Sequence, residues 1–476
     1  MPSLLIFIPL FGIVILNLPF GKAMRNAAFW FALAVFIVQI VLAITHQPIF
    51  WGNEIEQMDA FFRVNFSVDQ LSFVMLLCIG LVSLTSLLVM RDTIFDINER
   101  FKFINLLMLA SMGMSGIVMV TDIFTMYIFL EITAIASFIL IAFEKDVYAL
   151  EGAFKYMVLS ALASVLILAA TAILLLGAGS ASFTAIADAI HRTDNNLIAV
   201  AMGLFVCGLL IKGGMVPFHG WLPDAYGAAS PAVSVLLAGI VTKAAGIYTL
   251  IRALNSILGF DANIKALLLA LGTISILVGA FAAIGQKDFK RMLAYSSISQ
   301  TGYIVLGFGC ATPLAIAGAV FHLFNHSIFK SLLFVNSAAV ETRLGSTDMD
   351  RAGGLAQKMP ITGFTSVIGA LSAAGIPPLS GFWSKIIIVV ALWQAGHTWY
   401  AATAIMASII TLAYLLAMQR KVFFGKLALG LEDIEEARLG IRAASVMLAA
   451  IIIGFGVLFP SAYAIFIAPI GEMFIK

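Results

Sequence analysis

The chain has 476 residues, 62% of them hydrophobic and 11% charged, with a formal net charge of +2 and a mean hydropathy of +1.06. Soluble domains carry about 25% charged residues, so a soluble globular enzyme is excluded, and the small net charge gives no indication of a nucleic-acid partner. Cys78, Cys207 and Cys310 each stand alone in apolar surroundings, and no CxxC or CxxxC pair offers ligands for zinc or an iron–sulfur cluster. They read as buried small hydrophobes.

The apolar runs are long and continuous rather than alternating, which predicts transmembrane helices and not a barrel. Runs of about 20 residues, enough to span, fall at 3–20, 27–46, 70–90, 103–120, 122–143, 153–177, 196–216, 231–254, 265–285, 293–311, 313–338, 361–395, 400–423 and 443–468. That is fourteen, the twelfth long and interrupted. The N-terminus is hydrophobic at once, without a basic region or a small-residue cleavage site, so a first span is expected rather than a signal peptide.

Along this series the ionisable residues stand out. Glu131 is the acid in the middle of a predicted span. Lys155, Lys212, Lys243, Lys330 and Lys385 all fall within or at the start of spans. After Lys212 come Gly213, Gly214 and Pro217, and a helix reaching Lys212 should lose its regular hydrogen bonding near Pro217, where proline removes a donor and clashes with the preceding turn. In a bilayer such a break is tolerated only against protein or a wet cavity. His322 and His326 lie four apart in the eleventh run with Lys330 four further on, so the three share one helix face. A second break, Gly375-Ile-Pro377-Pro378-Leu-Ser-Gly381, precedes Lys385. Two interrupted helices at corresponding positions of two halves point to an inverted-repeat transporter. The match is imperfect, since the lysine precedes the proline in the first break and follows it in the second.

The remaining Lys and Arg set the orientation. Loops after odd-numbered runs hold Lys22, Arg25, Arg91, Arg100, Lys102, Lys145, Lys287, Lys290, Arg291, Arg343, Arg351, Lys358, Arg420, Lys421, Lys426, Arg438 and Arg442, seventeen in all. The other side holds five: Arg63, Arg192, Arg252, Lys265 and Lys476. Positive loops stay cytoplasmic, so both termini are expected outside.

A lysine at the bilayer centre costs at least about 2.5–3.5 kcal/mol on insertion scales. Lys155 is close enough to its span's start to reach the headgroups, whereas Lys212, Lys243 and Lys385 are deeper and flanked by small residues. Burial disfavours a charged lysine and a nearby carboxylate favours it, so a lysine whose partner approaches or withdraws becomes a switchable proton holder. Glu131 is the carboxylate placed to tune Lys212. The histidine pair admits a metal site or interhelical hydrogen bonding, but no acid or cysteine nearby completes a metal site, and proton relay suits it better.

The segment from Lys212 through Pro217 and His219-Gly-Trp-Leu-Pro-Asp-Ala-Tyr226 to Thr242-Lys243, with Asp288-Phe-Lys-Arg-Met-Leu-Ala-Tyr-Ser-Ser, His322-Leu-Phe-Asn-His326 to Lys330, and Pro377-Pro-Leu-Ser-Gly-Phe-Trp-Ser-Lys385, resembles the antiporter-like subunits shared by respiratory complex I, Mrp-type sodium/proton antiporters and membrane-bound nickel–iron hydrogenases. The resemblance covers about residues 65–425. It implies an all-α polytopic membrane fold of about fourteen helices, with broken helices seven and twelve. Helices one to three would occupy 1–102, inverted five-helix repeats 103–254 and 265–423, and a loop with the last helix 424–476. It also implies that Glu131, Lys212, Lys243, His322, His326, Lys330 and Lys385 carry protons, with helix breaks at Pro217, Pro377, Pro378 and Gly381.

The expected function is proton translocation within a redox-driven multisubunit complex of a prokaryotic cell membrane. The alternative is a component like the D subunit of an Mrp antiporter, with Na+ as the second cation. The chain ends soon after its fourteenth run, which favours a single-module subunit over those with a long lateral helix. No catalytic residue, cofactor or metal is expected in this chain; iron–sulfur clusters, flavin, quinone or a nickel–iron centre would belong to partner subunits. Other membrane subunits and membrane lipid are the expected partners, and nucleic acid is not.

Overall fold

The computed structural model describes residues 3–18, 22–45, 55–58, 65–192 and 196–473. Positions 19–20 of the first predicted run, Arg63 and Lys476 of the basic-residue census, and both chain ends lie outside the described residues, as does the side chain of Lys22. In order, the helices and strands are α1 (Leu4–Leu16), α2 (Lys22–Thr45), β1 (Ile55–Met58), β2 (Asn65–Val68), α3 (Gln70–Thr93), α4 (Ile97–Met119), α5 (Ile123–Ile141), α6 (Val147–Ala178), α7 (Phe183–Arg192) and α8 (Asn196–Lys212). There follow α9 (Trp221–Ala228), α10 (Pro231–Leu258), α11 (Ala262–Ile284), α12 (Phe289–Cys310), α13 (Pro313–Leu344), α14 (Pro360–Ala374), α15 (Ser380–Gln394), α16 (Thr398–Val422), α17 (Leu439–Val457) and α18 (Phe459–Gly471).

Among the described residues nine of these helices are long and apolar enough to cross a membrane, and five shorter ones are apolar. Among the described residues the regular structure is helical apart from the antiparallel pair β1–β2, which registers Ile55 with Val68 and Met58 with Asn65. Neither this hairpin nor α7 is foreshadowed by apolar run length, because both are short and amphipathic or polar. The predicted run at 443–468 divides into α17 and α18, with Pro460 in the first turn of the second helix, where its missing N–H costs nothing.

Several helix starts are set by single side chains. Asp96, Asp122, Asp146 and Asp288 each accept backbone N–H groups of the first turn of α4, α5, α6 and α12, and Thr312 does the same for α13. Such caps satisfy donors that a helix leaves orphaned at its start, which explains why acids cluster at the ends of apolar runs.

The chain forms two compact units: Met1–Leu84, Asp96–Trp221 and Ile240–Asp261 in the first, and Thr85–Phe95, Leu222–Gly239 and Ala262–Lys476 in the second. In the first, α4 packs on α5, and α6 on α8. In the second, α13 is the central post, packed by α12, α14, α15 and α17 and buried at every residue from Ala315 to Val340. That burial holds although α13 carries His322, Asn325, His326, Ser327, Lys330, Asn336 and Ser337. A helix this polar is shielded by protein from the hydrocarbon, where unmatched polar groups are costly.

Candidate functional site

In the first unit the site is built at the end of α8. The helix closes with Gly214 in the left-handed region at φ +64°, the Gly214 N–H bonding Ile211 O and the Met215 N–H reaching Leu210 O. This glycine cap ends the helix three residues before Pro217, earlier than the proline alone would require. Lys212 is therefore the last helical residue, where its cation faces the negative end of the helix dipole. Its ammonium lies 3.3 Å from Glu131 Oε1 on α5, 3.3 Å from Ser160 Oγ and 3.2 Å from Ser164 Oγ. The three donors of one ammonium thus meet three oxygens. Ser164 also donates to Glu131, so the hydroxyl links the two charges. Lys212 is 3% exposed and Glu131 29%.

Lys243 is buried on α10 within a stretch of wider turns, Lys243–Tyr248. One turn on, a Cβ added to Gly246 would lie 2.3 Å from the backbone of Gly213, so only glycine lets α10 cross the broken end of α8 this closely. Gly246→Ala is expected to force backbone movement at this crossing, at an overpacking cost of about 1–3 kcal/mol. Thermal unfolding of the purified assembly checks it, and an unchanged midpoint would show that the crossing is loose.

In the second unit the break between α14 and α15 uses the same device. Gly375 sits at φ +84°, with its N–H on Leu371 and Ser372 carbonyls and the Ile376 N–H on Leu371 O. Pro377 and Pro378 occupy the turn, and α15 restarts at Ser380. Gly381 lies inside α15 rather than in the turn; a Cβ there would sit 1.9 Å from Ser372 O, so this glycine permits the two half-helices to cross. Lys385 reaches back to donate to Ala373 O at 2.8 Å, in the last turn of α14, and lies 4.5 Å from the centre of the Tyr303 ring, a cation–π distance. The difference in lysine–proline order between the breaks is thereby explained. In both, the ammonium sits at the C-terminal end of the first half-helix, once from its own last residue and once from the following helix.

The buried row continues along α12 and α13. His322 joins Ser384 through Nδ1 at 2.9 Å and Gln300 through Nε2 at 3.2 Å. The His322 and His326 rings are nearly parallel with centroids 6.3 Å apart, and Lys330 donates to Leu293 O at 3.1 Å. Among the described residues no group of three or more His, Cys, Asp or Glu could hold a metal ion.

Some sequence assignments need correcting. Lys155 lies eight residues into the 32-residue α6, its side chain 41% exposed and paired with Glu151 at 2.6 Å. Lys290, counted as a loop residue, is buried in the first turn of α12 and lies 2.6 Å from Glu341 Oε2. Arg252, counted on the opposite loops, is inside α10, where it bonds both carboxylate oxygens of Asp69 at 2.5 and 2.8 Å, Ser72 and Tyr248. Burial pushes the Asp69 carboxyl up, but the Arg252 guanidinium and the hydrogen bonds outweigh it and hold the group below its ordinary value. Charge counting missed these pairs because each sits at the end of an apolar run. It also missed Ser160, Ser164, Gln300, Tyr303 and Ser384, for which the signal available was hydroxyl and amide residues recurring at helical spacing on otherwise apolar runs.

A helical membrane chain with buried lysines held at the ends of two broken helices, one against a carboxylate, has the architecture of an antiporter-like ion-translocating subunit. The model of the NADH:quinone oxidoreductase/Mrp antiporter transmembrane family matches residues 120–411, and the chain belongs to that family. It is 32% identical over 396 residues to the D subunit of the Na(+)/H(+) antiporter of Alkalihalophilus pseudofirmus, covering 82% of this chain and 80% of that one. Over 427 residues it is 31% identical to the N subunit of the NADH-quinone oxidoreductase of Desulforudis audaxviator, covering 87% and 84%. Its fold superposes on a chain of the Mrp complex from Dietzia sp. with a TM-score of 0.90, covering 100% and 98% at 24% identity.

Proposed function

We propose that this chain is a proton-translocating subunit of a multisubunit membrane complex, built as fourteen spans with inverted repeats over 103–254 and 265–423. Protons reach Lys212, whose charge Glu131 tunes, and pass by Lys243 and the His322, His326 and Lys330 row to Lys385. Coupling is electrostatic: a charge shift near Glu131 changes how firmly Lys212 holds its proton, and the change passes to the next buried group. The observation that carries the reading is the Glu131–Lys212 pair at the end of a broken helix, with a second buried ammonium at an equivalent helix end. The excess of basic loops supports a cytoplasmic position for the face that carries them in a prokaryotic cell, with both termini outside.

We read the complex as redox-driven, with electron carriers in partner subunits; likeness to the N subunit of a quinone oxidoreductase supports this. Likeness to the D subunit of a Na(+)/H(+) antiporter supports a second reading, exchange of Na+ for protons. The purified assembly in liposomes decides between them: proton movement that needs an electron donor marks the first, and movement set off by a Na+ gradient alone marks the second. Lys385→Ala is expected to lower either by roughly tenfold or more, the scale on which a positioned proton carrier acts. Wild-type rates in that variant would overturn the translocation reading.

A further inference from the structure

The ion pair Lys290–Glu341 has no place in the path above, yet it takes a charged lysine into the interior of the second unit. Lys290 is 2% exposed and Glu341 27%, and Lys290 donates to Ala229 O at 3.0 Å. The pair ties the first turn of α12 to the last turn of α13, at the end of the unit that carries Lys287, Arg343 and Arg351. Glu341 thus has one side toward the surface and one toward a buried ammonium.

From this pair a polar seam runs inward between the two antiparallel helices. Three cross-links set its register: Lys290 with Glu341, Leu293 O with Lys330, and Gln300 with His322. On α13, Glu341, Ser337 and Lys330 are spaced by four and seven residues, and on α12, Lys290, Leu293, Ser297 and Gln300 by three and four, so each set lies on one helix face. Ser337 Oγ and Ser297 Oγ are fully buried and have no hydrogen-bond partner among the described residues. Buried polar atoms are normally satisfied, and a cluster left over by the protein is a place for water. Glu341 stands eleven residues from Lys330, or about 16 Å along the helix at 1.5 Å per residue. A few bridging waters between these hydroxyl groups would span that length.

We propose that Glu341, poised by Lys290, is a proton-uptake port of the second unit, opening on the face that carries the basic loops and delivering to Lys330 along the α12–α13 seam. This rests on the translocation reading above and adds a separate way in. The Glu341 carboxylate takes a proton from bulk hydronium, forming an O–H bond. That bond breaks as the proton hops through water and the seam hydroxyls to the neutral amine of Lys330, whose own proton has moved on toward the histidines. No oxidant or reductant is involved. A part-exposed carboxylate at the mouth with a buried ammonium 2.6 Å behind it suits this role.

The test is proton pumping by the whole assembly in liposomes, with Lys385→Ala as reference. Glu341→Gln is expected to lower the rate by roughly tenfold or more, and Glu341→Asp, which keeps a titratable group, to retain most of it. Glu341→Gln strands a buried ammonium and weakens folding, so the double variant Glu341→Gln/Lys290→Met decides. Removing both partners of a buried pair is often neutral for stability, and the double variant should therefore assemble yet still pump slowly. Wild-type pumping by the double variant, with Lys385→Ala inactive, would make the pair structural and overturn the port alone. Wild-type pumping by Lys385→Ala would instead overturn the translocation reading on which the port rests.

Discussion

Lys212→Arg is expected to leave the assembly intact and stop transport, although it preserves the charge and can still reach Glu131. An arginine holds its proton at every working pH and presents a rigid planar fork, whereas a lysine in a buried site can give its proton up. Glu131→Gln should stop transport as well, by the opposite route: the Lys212 ammonium keeps Ser160 and Ser164 but loses its carboxylate. At 3.3 Å and an effective dielectric constant of about 20, that attraction is on the order of 5 kcal/mol before desolvation is charged against it. Even a quarter of this alters proton occupancy by about tenfold. Proton uptake by liposomes carrying the assembly is the measurement, with assembly checked by gel filtration. Wild-type rates in Lys212→Arg would show that the pair is a structural staple and that protons travel elsewhere.

Asp69→Asn should behave in the contrary way. The Arg252 guanidinium is 13% exposed and Asp69 7%, and the fork is satisfied by both carboxylate oxygens together with Ser72 and Tyr248. Tyr248 in turn donates to Val118 O at 2.7 Å, so the network fastens α10 to α3 and α4 within the first unit. Removing one partner strands a buried charge, at a cost of about 3–5 kcal/mol. A large fall in the thermal midpoint of the purified assembly is expected, with transport per assembled complex unchanged. The double variant Asp69→Leu/Arg252→Met should recover much of the loss, because no buried charge is left unpaired, although the Ser72 N–H loses the Asp69 carboxylate that accepts it at the start of α3. Reduced transport in correctly assembled Asp69→Asn would move this network from scaffold to path.

The contrast between these two ion pairs shows what a charge census sees. Glu131 and Lys212 were legible because each interrupts a long apolar run, and a costly residue in the middle of a span has to be matched by something. Lys290 and Arg252 are also folded into protein but lie beside or near the end of a predicted run, and at such a position a sequence cannot distinguish a loop cation from one folded back into protein. Partner identity depends on which helices pack together. Glu341 is eleven residues beyond Lys330 on one helix, yet its partner comes from the start of another, fifty-one positions earlier in the chain.

The sequence by itself determined that this is a helical membrane protein, where the apolar runs lie, which ammonium groups are buried deep in spans and which family it belongs to, because these follow from hydropathy, from the cost of charge in hydrocarbon and from local motifs. The tertiary structure decided the rest. It ended α8 at Gly214 rather than Pro217, since a left-handed glycine cap closes a helix before a later proline can break it. It put Lys212 among three oxygens from two other helices and returned Lys385 to a carbonyl of α14. It also paired Lys155 with Glu151 while taking Lys290 and Arg252 inside. Burial and pairing are properties of packed helices, and nothing local in the chain encodes which faces meet.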